Sequence, residues 1–115
     1  MEDINIRKEN SKYNEKVIVL RISGRLDAKA SDYLEQILDE EIKNKNYFII
    51  LDLKDVNYLG SSTIRVFLGM RNKIDKNKGF LRIINMPSTG LKIIKAMEIE
   101  DKFDIYEFER DAAKT

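Results

Sequence analysis

Apolar residues along this chain fall alternately into short runs and helical stripes. The densest run, Tyr47, Phe48, Ile49, Ile50, Leu51 and Leu53, is broken only by Asp52 and lacks the polar alternation of a half-exposed strand. Such a run suits a strand covered on both faces, as in a parallel sheet. Val17, Ile18, Val19, Leu20 and Ile22 make a second run, ended by Ser23-Gly24, and Phe80, Leu81, Ile83 and Ile84 make a third. Ile4, Ile6 and Arg7 belong to a short alternating segment that reads as an edge strand. A polar turn over residues 10–14 joins it to the next strand as an antiparallel pair. Phe103, Ile105 and Tyr106 supply a last strand.

Helical stripes fill the intervals. Leu34, Ile37, Leu38 and Ile42 recur at i, i+3, i+4 and i+8, with Asp32, Glu35, Asp39, Glu40 and Lys43 turned elsewhere. Asp27 is placed to cap that helix before Ala28, with Ser31 as the other candidate start. A second helix opens on Gly60-Ser61-Ser62-Thr63. Ile64, Phe67 and Leu68 share one of its faces, with Ile74 at the margin and Arg71 near the middle of the apolar arc. Val66 and Met70 fall further round; either Arg71 snorkels along the core edge while they pack under a neighbouring loop, or they stand partly exposed beside Ser61 as part of a binding surface. Gly79 reads as the left-handed residue that ends this helix. Pro87 opens a third helix whose apolar face is Leu91, Ile93, Ile94 and Met97, and residues 107–114 form a short charged helix. The order β-β-α-β-α-β-α-β-α predicts an α/β fold, a mostly parallel sheet with an antiparallel N-terminal strand, in one domain spanning residues 1–115.

Composition narrows the chemistry. The 115 residues contain neither cysteine nor histidine, which removes disulfides, thiolate and zinc-thiolate sites, and the Ser-His-Asp and Cys-His catalytic arrangements. A formal net charge of +1 creates no field that favours nucleic acid or an anionic membrane. No apolar run approaches the roughly 20 residues that span a bilayer, and the acidic start Met1-Glu2-Asp3 is unlike a signal peptide. A soluble, cytoplasmic protein without nucleic-acid binding or membrane insertion is the expectation.

In an open α/β sheet, functional groups gather at the carboxyl ends of the strands. Here those ends are residues 23–27, 54–62 and 85–89. A hydrolase would need Gly-x-Ser-x-Gly around Ser61, and Leu59-Gly60-Ser61-Ser62-Thr63 lacks both the spacing and the second glycine. The phosphate-cradling Gly-x4-Gly-Lys-Ser/Thr pattern is absent. A phosphate-accepting receiver domain needs an acidic pair beside its acceptor aspartate; Ser-Gly-Arg follows the first parallel strand, so Asp52 reads as a strand-end residue and Asp55 as a turn former. What remains is Ser61 and Ser62 at a helix start, as caps or as acceptors for a kinase. No enzyme activity and no cofactor are expected.

The chain resembles the STAS domains, and among them the stand-alone bacterial anti-anti-sigma factors, the anti-sigma factor antagonists. Three segments carry the likeness: Val17-Ile18-Val19-Leu20-Arg21-Ile22-Ser23-Gly24-Arg25-Leu26-Asp27; Ile49-Ile50-Leu51-Asp52-Leu53 with Val56-Asn57-Tyr58-Leu59-Gly60-Ser61-Ser62-Thr63-Ile64; and Gly79-Phe80-Leu81-Arg82-Ile83-Ile84 with Pro87 close behind. The resemblance implies a phosphoprotein of transcription regulation. Its unphosphorylated form binds an anti-sigma factor that is often a serine-protein kinase, and so frees a sigma factor. The kinase phosphorylates the first serine of an Asp-Ser-Ser/Thr-Gly motif and a serine phosphatase reverses this. By that resemblance the acceptor is Ser61, with Ser62 second. The partner surface then includes Gly24, Arg25, Asp27, Tyr58, Gly60, Ser61, Ser62, Thr63, Arg65, Val66 and Met70, on a monomer or weak dimer. Two positions depart from the motif. Gly60 stands for its aspartate, which removes a carboxylate beside the acceptor, and Thr63 stands for its glycine, which puts a β-branched side chain where the family offers bare backbone. The alternative implied by the same family is a constitutive docking subunit of a transporter or stress-sensor complex, with Ser61 only a helix cap.

Overall fold

The computed structural model describes residues 4–115; the Met1-Glu2-Asp3 segment read above lies outside the described residues. The elements are β1 (Ile4–Ser11), β2 (Asn14–Leu26), α1 (Ala28–Lys43), β3 (Phe48–Leu59), α2 (Ser61–Asp75), β4 (Phe80–Ile84), α3 (Ser88–Ala96), a 3-10 turn (Glu100–Lys102), β5 (Asp104–Tyr106) and α4 (Glu109–Ala112). Their order is the predicted one, with the 3-10 turn added. The five strands lie side by side in chain order, β1 antiparallel to β2 and every later pair parallel.

Strand alternation sorts the apolar residues into two cores. Ile18, Leu20 and Ile22 of β2, Ile49, Leu51 and Leu53 of β3, and Leu81 and Ile83 of β4 face α1, α2 and α3. Val17, Val19, Ile50, Phe80 and Ile84 face the other way and are covered by Ala112 and Ala113 at the end of α4. This is why β3 shows no polar alternation: Ile49, Ile50, Leu51 and Leu53 are all fully buried. Each such side chain contributes about 1.5–3 kcal/mol by leaving water.

Several helix details differ from the sequence reading. In α2 the buried residues are Thr63, Ile64, Phe67, Met70 and Ile74, so the stripe runs through Met70, and Leu68 sits only half-buried at its edge. Arg71 does snorkel along the core edge, reaching Asp75 at 3.7 Å. The left-handed residue after α2 is Lys78 (φ 59°), not Gly79. Glycine is required at 79 for closeness instead, because a Cβ there would lie 2.0 Å from the Tyr47 carbonyl oxygen. In α3, Leu91 is 46% exposed while Ile94 is buried. Leu91 lies on the outer side, beside Met86 and Ile105.

Candidate functional site

The predicted loops at residues 23–26 and 54–59 are strand. β2 and β3 stay paired to their carboxyl ends, with Ser23 opposite Asp55, Arg25 opposite Tyr58 and Leu26 opposite Leu59. Two register shifts interrupt this extension, and Gly24 turns through φ 102°, which only glycine accepts without strain. The extension delivers two helix starts side by side. Asp27 caps α1, its carboxylate accepting from the Ala30 N–H at 2.9 Å, and Gly60 is the residue before α2.

Thr63 ties these starts together. Its Oγ1 donates to the Leu26 carbonyl at 2.8 Å, accepts from the Gly60 N–H at 3.3 Å, and lies 2.9 Å from Ser31 Oγ. Ser31 in turn donates to the Asp27 carbonyl at 2.8 Å. Two hydroxyl protons serve three oxygen–oxygen contacts, so a hydroxyl that donates across the Ser31–Thr63 contact releases its own carbonyl. Both side chains are buried, where an unmade hydrogen bond is costly. The clasp joins the end of β2, the first turn of α1 and the first turn of α2.

Outside the clasp the surface is open. Ser61, the first residue of α2, is exposed; Ser62 is half-buried. Tyr58 is 41% exposed, and the Arg25 guanidinium stacks 4.0 Å from its ring centre. A Cβ on Gly60 would lie 3.2 Å from the Tyr58 hydroxyl. Gly60 has extended backbone, φ −128° and ψ −175°, open to any residue. Room beside Tyr58, rather than backbone conformation, is therefore what glycine provides at 60. Arg65 is exposed one turn after Ser61.

The fold thus gathers Gly24, Arg25, Asp27, Tyr58, Gly60, Ser61, Ser62 and Arg65 at one end of the sheet. Two expected partner residues need correction. Thr63 and Met70 are buried, Thr63 in the clasp and Met70 in the core, so neither side chain can meet a partner. Val66 is half-buried and packs against the same core. Sequence reading named Ser31 only as a possible helix start. Its spacing of three from Leu34 and seven from Leu38, on the buried stripe, was the available signal.

A second polar cluster lies on the α4 side of the sheet. Arg21 reaches Glu9 at 2.6 Å, Asp52 at 2.9 Å and Glu109 at 2.8 Å, and Asn85 donates to Asp52 at 2.9 Å. Burial acts to raise the Asp52 carboxyl. Hydrogen bonds from Asn85, the Lys54 N–H and Arg21 outweigh it and hold the group below its ordinary value. Burial likewise opposes the charge on Arg21, and the carboxylates of Glu109, Glu9 and Asp52 overcome it, so the guanidinium is held more firmly than usual. Asp52 is thus part of an ion-pair clamp inside β3 rather than a strand-end residue. Among the described residues no cluster of His, Cys, Asp or Glu could hold a metal ion, and no helix is long and apolar enough to cross a membrane.

The family model described as STAS domain matches residues 10–112. This chain belongs to the STAS domain family. A relative, the anti-sigma F factor antagonist of Paenibacillus polymyxa, is 27% identical over 97 residues, covering 84% of this chain and 83% of the relative. The crystal structure of an anti-sigma factor antagonist from Mycobacterium paratuberculosis has the same fold, with TM-score 0.80 at 22% identity over 96% of this chain and 92% of that one. So does the phosphorylated form of the Bacillus cell fate determinant SpoIIAA, with TM-score 0.71 at 18% identity over 94% and 96% of the two chains. In this STAS domain the motif's aspartate and glycine are replaced by two residues with structural duties of their own. Gly60 makes room for Tyr58, and Thr63 clasps the helix starts.

Proposed function

We propose that this STAS domain is an anti-sigma factor antagonist, a cytoplasmic binding module rather than an enzyme. Unphosphorylated, it docks an anti-sigma factor with serine kinase activity and so frees a sigma factor. Phosphate on Ser61 ends the docking, and a phosphatase restores it. The role of the related antagonists supports the first step. The observation that carries the second is the position of Ser61: of the three hydroxyl residues opening α2, it is the exposed one. Phosphorylation adds about −1.5 to −2 charges there at pH 7. The fold tolerates it, because the side chain points to water at a helix start that favours anions. A protein face docked on the same spot does not.

The test is intact-mass analysis after incubation with the cognate anti-sigma factor and ATP, on the wild type, Ser61→Ala and Ser62→Ala. One added phosphate on the wild type and on Ser62→Ala, with none on Ser61→Ala, is the expected pattern. An unmodified wild type, or a phosphate that survives Ser61→Ala, removes Ser61 from the role.

A further inference from the structure

Arg65 has no assigned partner, and its place on α2 gives it one. Ser61 and Arg65 are four residues apart on a regular helix and both exposed. Side chains at that spacing lie on one face with Cβ atoms about 5–6 Å apart, and an acid N-terminal to a base is the favoured order. The same helix holds one four-residue pair in the reverse order, base before acid, in which Arg71 meets the Asp75 carboxylate at 3.7 Å. Among the described residues Arg65 makes no ion pair, as is also true of Arg25, Arg82 and Arg110. Nothing acidic stands between Ser61 and the strand before it: position 60 is glycine, and the Tyr58 hydroxyl lies 3.2 Å from where a Cβ at 60 would stand.

We infer that a phosphate on Ser61 is held by the Arg65 guanidinium of the same helix, so that modification also withdraws from the docking surface a cation that the unphosphorylated form offers. The inference rests on Ser61 as the acceptor. The switch then has two parts: the phosphate adds negative charge where the partner sits, and Arg65 turns inward to meet it as a charge-assisted, two-pronged contact. The other charged groups at the ends of β2 and β3 and in the first turn of α1 are Arg25, Lys29 and Lys54, which act in the same direction, and Asp27 and Asp55, which oppose. Asp27 is already committed to the Ala30 N–H.

Phosphoserine installed at position 61 during translation, with no kinase involved, gives a direct measurement. The second ionisation of its phosphate, ordinarily near pH 6, is followed by phosphorus NMR in the wild-type sequence and in Arg65→Gln. Capture by Arg65 lowers the wild-type value by about half a pKa unit relative to Arg65→Gln, and 1 M salt shrinks the difference. Arg65→Lys keeps most of the effect, and Gly60→Asp, which returns a carboxylate to the site, raises the value. A difference below about 0.2 pKa unit between wild type and Arg65→Gln, or one undiminished by salt, overturns the inference. That failure leaves Ser61 as a kinase acceptor untouched. An unmodified Ser61 in the kinase experiment overturns the proposed function and leaves this titration standing.

Discussion

At the scale of single residues, Thr63 holds the site in shape. Thr63→Val keeps the volume and the β-branch but strands the Leu26 carbonyl and the Gly60 N–H, both of which Thr63 now satisfies. Leaving buried polar groups unpaired costs about 1–3 kcal/mol. The expected result is a lower urea midpoint with an unchanged slope, and Thr63→Ser, which keeps the hydroxyl, recovers most of the loss. A midpoint equal to wild type in Thr63→Val would sink the clasp. Thr63 was expected at the partner surface because it follows the serine pair. The stripe Thr63, Phe67, Met70, Ile74, spaced four, three and four, places it at the head of the buried face instead. A hydroxyl there can be read from sequence as buried, but its bonding to Leu26, 37 residues earlier, cannot. The same stripe leaves Ser61 on the opposite side of the helix, where it is exposed.

Elements were legible wherever their periodicity was clean. The apolar runs of β2, β3 and β4 and the stripe of α1 led to the right elements, since burial on a sheet dictates those patterns. The strand extension over residues 54–59 was missed because Lys54, Asp55, Asn57 and Tyr58 are exposed and the register shifts break the two-residue alternation. It looks like loop yet pairs as strand, and it fixes Ser61 more firmly than a loop could. The ion-pair clamp on Arg21 was equally hidden, since Glu9, Asp52 and Glu109 come from three distant elements. Its effect on stability follows from the depressed carboxyls. Asp52 titrates below its ordinary 3.8, and Glu9 below 4.5, mainly through the Arg21 hydrogen bond. A group whose pKa is lower folded than unfolded stabilises the fold above the unfolded value and ceases to as pH falls through the folded one. Stability is therefore steady near neutrality and drops below about pH 4. Urea midpoints from pH 7 to pH 2.5 measure this, and Asp52→Asn should make the acid decline shallower while lowering the midpoint at pH 7. An equally steep acid decline in Asp52→Asn would place the titrating groups elsewhere.

Across the whole molecule, the order of elements was enough to set the sheet: a tight turn between the first two strands requires antiparallel pairing, and each later helix returns the chain parallel. What element order does not reveal is how unequally the two faces are covered. Three helices of 16, 15 and 9 residues back one face. The other relies on the four-residue α4 and its flanking residues, held through Arg21 to Glu109, Arg82 to the Ala112 carbonyl and Asn14 to the Ala113 carbonyl. A lone helical turn has little stability of its own. Hydrogen exchange resolves the consequence as a hierarchy of openings. Amides of Ala112 and Ala113 exchange through local detachment well below the free energy of global unfolding, and those of Ile49, Ile50 and Leu51 only with the whole fold. Uniform protection across the two sets would contradict this. The protein then behaves as two cooperative units back to back, and the slow-opening one carries Ser61, so the Ser61 hydroxyl keeps its position even while the reverse face breathes.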